Sequence, residues 1–235
     1  MSGVSVVRPA PVREAEPLEC TLDELVERAR VLASGTTRRI LGIAGAPGAG
    51  KSTVATAIVE ALAGQALQVG MDAFHLANGI LAAHGSLDRK GAPDTFDAGG
   101  YAHLLRRLKE NVEPVVHAPV FDRSLEASIG NAISVPRDVP LVITEGNYLL
   151  LDAPGWPAAR KQIDEVWYLD VDDGERRLRL VRRHESFGKS PDEARSWALG
   201  SDQHNAAVVA ATRDRADLLI RLATPHRPQN SAESE

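Results

Sequence analysis

Cysteine is almost missing from the chain: its 235 residues include one, Cys20. A single thiol cannot close an internal disulfide, and such sparing use suits a reducing compartment. Long apolar runs are missing as well. None approaches the roughly eighteen residues that a membrane-spanning helix needs, and the N-terminal stretch MSGVSVVRPAPVREAEP has no long apolar core after a basic start. Excess positive charge is also lacking. A net charge of −5 and a pI near 5.8 argue against a surface built for nucleic acid or an anionic membrane. No internal repeat is visible, and no NKxD-like segment that would read guanine. What remains is a chain 43% hydrophobic and 25% charged, long enough for one sizeable core, so a single cytoplasmic domain is the expectation.

Against that background one stretch stands out. Gly45 to Thr53 reads GAPGAGKST and matches GxxxxGK[ST]. In that loop backbone N–H groups cradle a nucleotide's phosphates, the lysine reaches the β and γ groups, and the Ser/Thr hydroxyl holds Mg²⁺. The surroundings agree. Arg39 to Ala44 is an apolar run of strand length, and Ser52 to Leu62 has apolar residues at helical spacing, so the loop joins a strand to a helix. Gly45, Gly48 and Gly50 permit close backbone approach, while the helix starting near Lys51 aims its positive end at the phosphates. The phosphate-binding set is therefore Gly45, Ala46, Gly48, Ala49, Gly50, Lys51, Ser52 and Thr53.

Two further strands end in acids. Ala66 to Gly70 reads as a buried strand leading into MDAFHL, which puts Asp72 at a strand's C-terminal end, where open α/β sheets bind ligands. A carboxylate there can accept a proton from a hydroxyl nucleophile, or simply cap a turn. Pro140 to Thr144 is a second buried strand and delivers Glu145, the acid expected to orient Mg²⁺ opposite Ser52.

The remaining polar segments suit an acceptor site. His75 is either a substrate contact or a packing residue. The loop SLDRKGAPDTFDAGG carries Arg89, Lys90 and Asp94; Glu113 to Val120 (EPVVHAPV) and Ala132 to Val135 (AISV), read as short strands flanking a loop that begins FDRS, give a region that carries His117, Asp122 and Arg123. Arg123 can pair a phosphate or carboxylate, or neutralise Asp122. Further on, ERRLRLVRRH places Arg176, Arg179 and Arg183 along one helical side, either a solvated basic helix or a lid over the transferring phosphoryl group. The expected layout is a loose arm at 1–17, one domain over 18–222 with the arginine-rich segment at about 174–190, and a frayed tail at 223–235.

GAPGAGKST, GMDAFH, RKGAPDTFD, EGNYLLLD, RRLRLVRRH and ATRDRADLLI together resemble the P-loop small-molecule kinases of the uridine kinase, pantothenate kinase and phosphoribulokinase group. The nearest branch is the nucleoside/nucleotide kinase-like, fructose-transport-associated one. The resemblance covers about residues 38 to 222. It implies an α/β fold with a parallel sheet flanked by helices on both faces and an arginine-rich lid, ATP as donor and Mg²⁺ as cofactor. It implies Lys51, Ser52 and Thr53 on phosphates and metal, Asp72 as base, Glu145 near the metal, Arg179 and Arg183 in the lid, and Arg213 near the nucleotide base. The acceptor segments depart from the family's patterns, with DAFH in place of DSFY and HAPVFDRS in place of YSHxxYD. The expectation is a kinase acting on a hydroxyl of a nucleoside, sugar or pantothenate-like metabolite, compatible with a homodimer and without nucleic-acid or membrane partners. The rival is a nucleotide-dependent switch or assembly ATPase acting on a protein.

Overall fold

The computed structural model describes residues 16–223, so the expected arm, apart from residues 16 and 17, and the tail, apart from Ala223, lie outside the described residues. Six strands form one parallel sheet: β1 (Leu18–Cys20), β2 (Arg39–Ala44), β3 (Ala66–Gln68), β6 (Leu141–Gly146), β7 (Glu165–Leu169) and β8 (Leu218–Leu222), in the order β1-β8-β7-β2-β6-β3. A separate antiparallel hairpin pairs β4 (Val115–Asp122) with β5 (Ala127–Pro136). The helices are α1 (Leu22–Ala33), α2 (Lys51–Ala61), α3 (Asn78–Ala83), α4 (Ala98–Glu110), α5 (Trp156–Arg160), α6 (Asp173–Ser186), α7 (Pro191–Leu199) and α8 (Ser201–Ala210). None of the described helices is long and apolar enough to cross a membrane.

Side chains alternate across a strand, so a sheet covered on both faces needs apolar residues at every position. β2 and β6 meet that demand over Ile40–Leu41, Ile43–Ala44 and Leu141–Ile143. Leu41, Ile43, Leu141 and Ile143 pack with Leu25, Ala29, Val54 and Ile58 of α1 and α2. Ile40, Ala44 and Val142 face the other way, into a core with Tyr101, Leu105, Tyr148 and Trp156. Helices thus cover both faces, as the sequence leads one to expect. α1 starts with the Thr21/Glu24 capping box that its sequence signals.

Three differences from the sequence reading bear on the site. β1, which the sequence reading missed, is only three residues long and is identified by its pairing with β8. β5 begins at Ala127 rather than Ala132; the polar, glycine-containing start of that strand lacks an apolar alternation, and only its pairing to β4 reveals it. The segment DRADLLIRL reads as a strand from Asp214, but β8 begins at Leu218, after a 3₁₀ turn at Arg213–Arg215.

The order β2-β6-β3 is what builds the cleft. These adjacent parallel strands all end on one edge, so the segments that follow them converge there. After β2 comes the phosphate loop, at the end of β6 stands Glu145, and after β3 the 3₁₀ turn Met71–Phe74 carries Asp72. The approach of that turn depends on glycine: a Cβ at Gly146 would lie 2.6 Å from the Met71 Cβ and Sδ. Behind β6, the hydroxyls of Tyr101 and Thr144 lie 2.6 Å apart, and Thr144 also donates to the Val69 carbonyl at 2.6 Å. This buried chain ties α4, β6 and the end of β3 together, fixing where Glu145 sits.

Candidate active site

The converging segments enclose an open cleft of about 1090 Å³. Its floor is the phosphate loop. Gly48 and Gly50 adopt φ of +84° and +95°, left-handed backbone that suits glycine and turns successive N–H groups inward. α2 then starts at Lys51, so its N-terminus points into the same space.

Lys51 is buried and its Nζ donates to the carbonyls of Gly45 at 2.9 Å and Ala46 at 3.2 Å, and to Asn147 Oδ1 at 2.7 Å. Burial lowers its pKa to about 8, with nearby Glu145 and Asp72 opposing the shift. The Ser52 hydroxyl donates to Glu145 Oε1 at 3.2 Å. Burial, followed by the charge of Asp72, pushes the Glu145 carboxyl above its usual range, while Lys51 and Arg123 pull it back. The Ser52 hydroxyl and the Glu145 carboxylate are oxygen donors of the kind that can hold a divalent cation. Among the described residues no cluster of three or more His, Cys, Asp or Glu side chains could hold a metal by itself.

Asp72 faces the same cleft, and its Oδ2 accepts from Arg123 Nη2 at 2.9 Å. Arg123 lies just after β4, in the turn of the hairpin, so the hairpin forms a wall of the cleft. His75 also lines it, with Nδ1 2.7 Å from the Asp72 carbonyl oxygen and its ring against Phe96 and Phe121. Across the cleft stand Arg179 and Arg183 of α6. Arg179 Nη1 comes within 3.5 Å of where a Cβ on Gly50 would be, so it overhangs the phosphate loop. The Arg183 guanidinium has no hydrogen-bond or ion-pair partner among the described residues, and burial and Arg123 lower its pKa.

The structure therefore brings together Gly48, Gly50, Lys51, Ser52, Thr53, Asp72, His75, Arg123, Glu145, Arg179 and Arg183. Gly45 lies below this group, its carbonyl held by Lys51, and Ala49 is buried in the core. Ala46 faces a smaller adjoining cavity of about 310 Å³. Four expected residues lie elsewhere. Arg89 and Asp94 pair with each other at 2.7 Å, satisfied on an exposed loop beside the cleft. His117 is exposed on β4 and bonds Ser134 across the hairpin at 3.1 Å, because strand alternation turns it away from the cleft. Arg213 lines neither cavity, although its Nε is buried without a partner among the described residues.

Arg176 departs from the helical-side reading. It is 2% exposed, with Nη1 donating to the Pro47 carbonyl at 3.2 Å, so it braces the phosphate loop from behind instead of facing the cleft. Lys90, from the loop SLDRKGAPDTFDAGG, lines the cleft, as the sequence suggests for that loop, whereas the sequence reading passed over Asn147, the partner of Lys51, and His184 and Asp202 in the cleft wall. Asn147 was detectable in principle, since it follows Glu145 by two residues at the end of a buried strand. His184 and Asp202, bonded at 2.7 Å, meet only through the packing of α6 against the helices after it.

The phosphoribulokinase/uridine kinase family model matches residues 40–226. An ATP-dependent kinase-like protein of Aspergillus versicolor is 36% identical over 152 residues, covering 61% of this chain and 88% of the relative. A candidate uridine kinase of Schizosaccharomyces pombe is 33% identical over 210 residues, 85% of this chain and 89% of that one. Among solved structures, a candidate fructose transport system kinase from Silicibacter sp. TM1040 is 38% identical, covers 85% of this chain and 98% of its own, and superposes with a TM-score of 0.77.

Proposed function

Because the chain belongs to the phosphoribulokinase/uridine kinase family, and is therefore a small-molecule kinase with a hydroxyl acceptor, we propose that it moves the γ-phosphoryl group of ATP to a hydroxyl of a small metabolite with the help of Mg²⁺. The observation that carries the reading is the meeting of a phosphate-binding loop, the Ser52–Glu145 pair and Asp72 in a single cleft.

Each residue has a role its geometry supports. The loop N–H groups and Lys51 bind the donor's phosphates. Lys51 would exchange its present carbonyl partners for phosphate oxygens, an exchange favoured because the ammonium gains anionic partners. Ser52 and Glu145 would hold Mg²⁺, whose charge neutralises phosphate oxygens. Asp72 orients the acceptor hydroxyl and takes its proton, and the Arg123 guanidinium fixes the carboxylate's orientation. Arg179 and Arg183 complement the equatorial oxygens of the group in transfer, and α6 acts as a lid that excludes water. Catalysis would thus rest on positioning and charge.

The reading takes a small molecule as partner and the cytoplasm as location; the net charge of −5 offers nucleic acid and anionic membrane no general attraction. The test is release of ADP from Mg·ATP across nucleosides, sugars, sugar acids and pantothenate, with each stimulating compound checked by product mass. A compound that gains one phosphoryl group supports the reading. If no compound stimulates turnover and ATP is hydrolysed at an unchanged rate, a nucleotide-driven switch replaces the kinase reading.

A further inference from the structure

His75 is held in a way that fixes which of its nitrogens can meet a ligand. It follows the 3₁₀ turn Met71–Phe74, and its backbone bridges to Phe96, with neighbouring bonds from Leu76 N to the Thr95 carbonyl at 2.9 Å and from Asp97 N to the Phe74 carbonyl at 2.8 Å. The rings of Phe96 and Phe121 lie 4.0 and 4.9 Å from its centroid. Nδ1 is 2.7 Å from the Asp72 carbonyl oxygen. A carbonyl can only accept, so Nδ1 carries the hydrogen. In the neutral ring Nε2 is then a bare acceptor, and it has no partner among the described residues. Burial lowers the pKa of the imidazole and favours this neutral form. With Nδ1 occupied and the ring packed against two phenylalanines, the Nε2 edge is what His75 presents to the cleft it lines.

Asp72, three residues earlier on the same turn, also presents an acceptor. Two groups that only accept, three residues apart and lining one cleft, with Asp72 Oδ2 already taken by Arg123 and Oδ1 left, call for a ligand with two donors. On the kinase reading above, one donor is the hydroxyl to be phosphorylated. We propose that His75 Nε2 accepts a hydrogen bond from a second hydroxyl next to the first, so that the acceptor is a vicinal polyol, such as a sugar, sugar acid or ribosyl compound. His75 would then be a specificity residue that touches substrate.

The test compares matched pairs as acceptors with Mg·ATP, each deoxy member lacking the hydroxyl next to a terminal one: glycerate with 3-hydroxypropionate, glycerol with 1,3-propanediol, and gluconate with 5-deoxygluconate. For the pair that turns over, the wild-type protein should prefer the diol in kcat/KM by about 10- to 100-fold, as expected when one buried hydrogen bond is lost. His75→Asn keeps a donor for the Asp72 carbonyl but places no acceptor at Nε2, so the preference should fall to near unity. Nitrogen NMR of the wild-type imidazole should show a neutral ring protonated on Nδ1, a readout that needs neither substrate nor variant. Equal use of diol and deoxy compounds by the wild type, a preference retained in His75→Asn, or an Nε2-protonated ring would overturn the role of His75 while leaving the kinase reading intact. A panel without any phosphorylated product would overturn the kinase reading, and this inference with it.

Discussion

At the scale of single residues, Asp72 and Lys51 carry the sharpest predictions. Asp72→Asn keeps shape and removes the base; phosphoryl transfer should drop by about 10²- to 10⁴-fold, while Mg·ATP binding, measured calorimetrically, stays within a few-fold of wild type. A variant that transfers at the normal rate would remove Asp72 from the role of base. Lys51 combines function with a stability cost. Its pKa is about 8 in the folded protein against 10.5 for the free side chain. Between those values the unfolded chain binds more protons, so stability rises with pH from about 8 to 10.5, and below 8 the full penalty applies. At 1.36 kcal/mol per pKa unit the penalty is on the order of 3 kcal/mol. The stability of wild type relative to Lys51→Met, measured in urea, should therefore rise as pH goes from 8 to 10.5, while the variant loses ATP affinity at pH 7. A stability difference that does not change over that pH range would contradict this account. The phosphate loop was legible in the sequence because its chemistry lies in consecutive residues. Asn147 and the His184–Asp202 pair were not, because each acquires its role from a neighbour far along the chain.

At the scale of elements, α6 and the β4–β5 hairpin form opposite walls of the cleft. The arginines of α6 divide by depth. Arg176 is locked to the Pro47 carbonyl, and a Cβ on Gly48 would come within 2.8 Å of Leu180 Cγ and 2.9 Å of the Arg176 carbonyl, so the first turns of α6 press directly on the phosphate loop. Arg179 and Arg183, one and two turns on, line the cleft. Arg176→Met should therefore act through the loop, raising KM for ATP more than it lowers kcat. Arg183→Ala should do the reverse, lowering kcat by about 10²- to 10³-fold with a smaller change in KM, as loss of a charge that complements the transition state does. Steady-state kinetics of the two variants separate these outcomes; identical profiles would dissolve the distinction. Helical spacing put these arginines on one side of α6 but could not tell which was buried, since that depends on how the helix packs against the loop. The hairpin was read too short for a related reason. Its exposed half has no apolar alternation, so only the pairing of its strands marks it.

At the scale of the molecule, the parallel sheet with helices on both faces follows from strands whose consecutive residues are apolar on both faces, such as Ile40–Leu41 of β2 and Leu141–Ile143 of β6, and was legible for that reason. The convergence of the chemistry depends on strand order, β2-β6-β3, which no local pattern encodes. A ligand that binds only the folded cleft stabilises the whole domain. At 100 times its dissociation constant, Mg·ATP should add about 2.7 kcal/mol, which for a domain of this size raises Tm by about 5–10 °C. ATP with a metal chelator should give a smaller rise, because the Ser52–Glu145 pair would then lack its cation. Equal shifts with and without Mg²⁺ would count against a metal at that pair.

The most direct measurement follows the transferred group itself. ATP with heavy oxygen in its γ-phosphoryl group is incubated with the protein, Mg²⁺ and each polyol, and the products are weighed by mass spectrometry. The account predicts label in a phosphate ester of the acceptor, in step with ADP formation and lost in Asp72→Asn. Label found only in inorganic phosphate, at a rate indifferent to every acceptor, would contradict it.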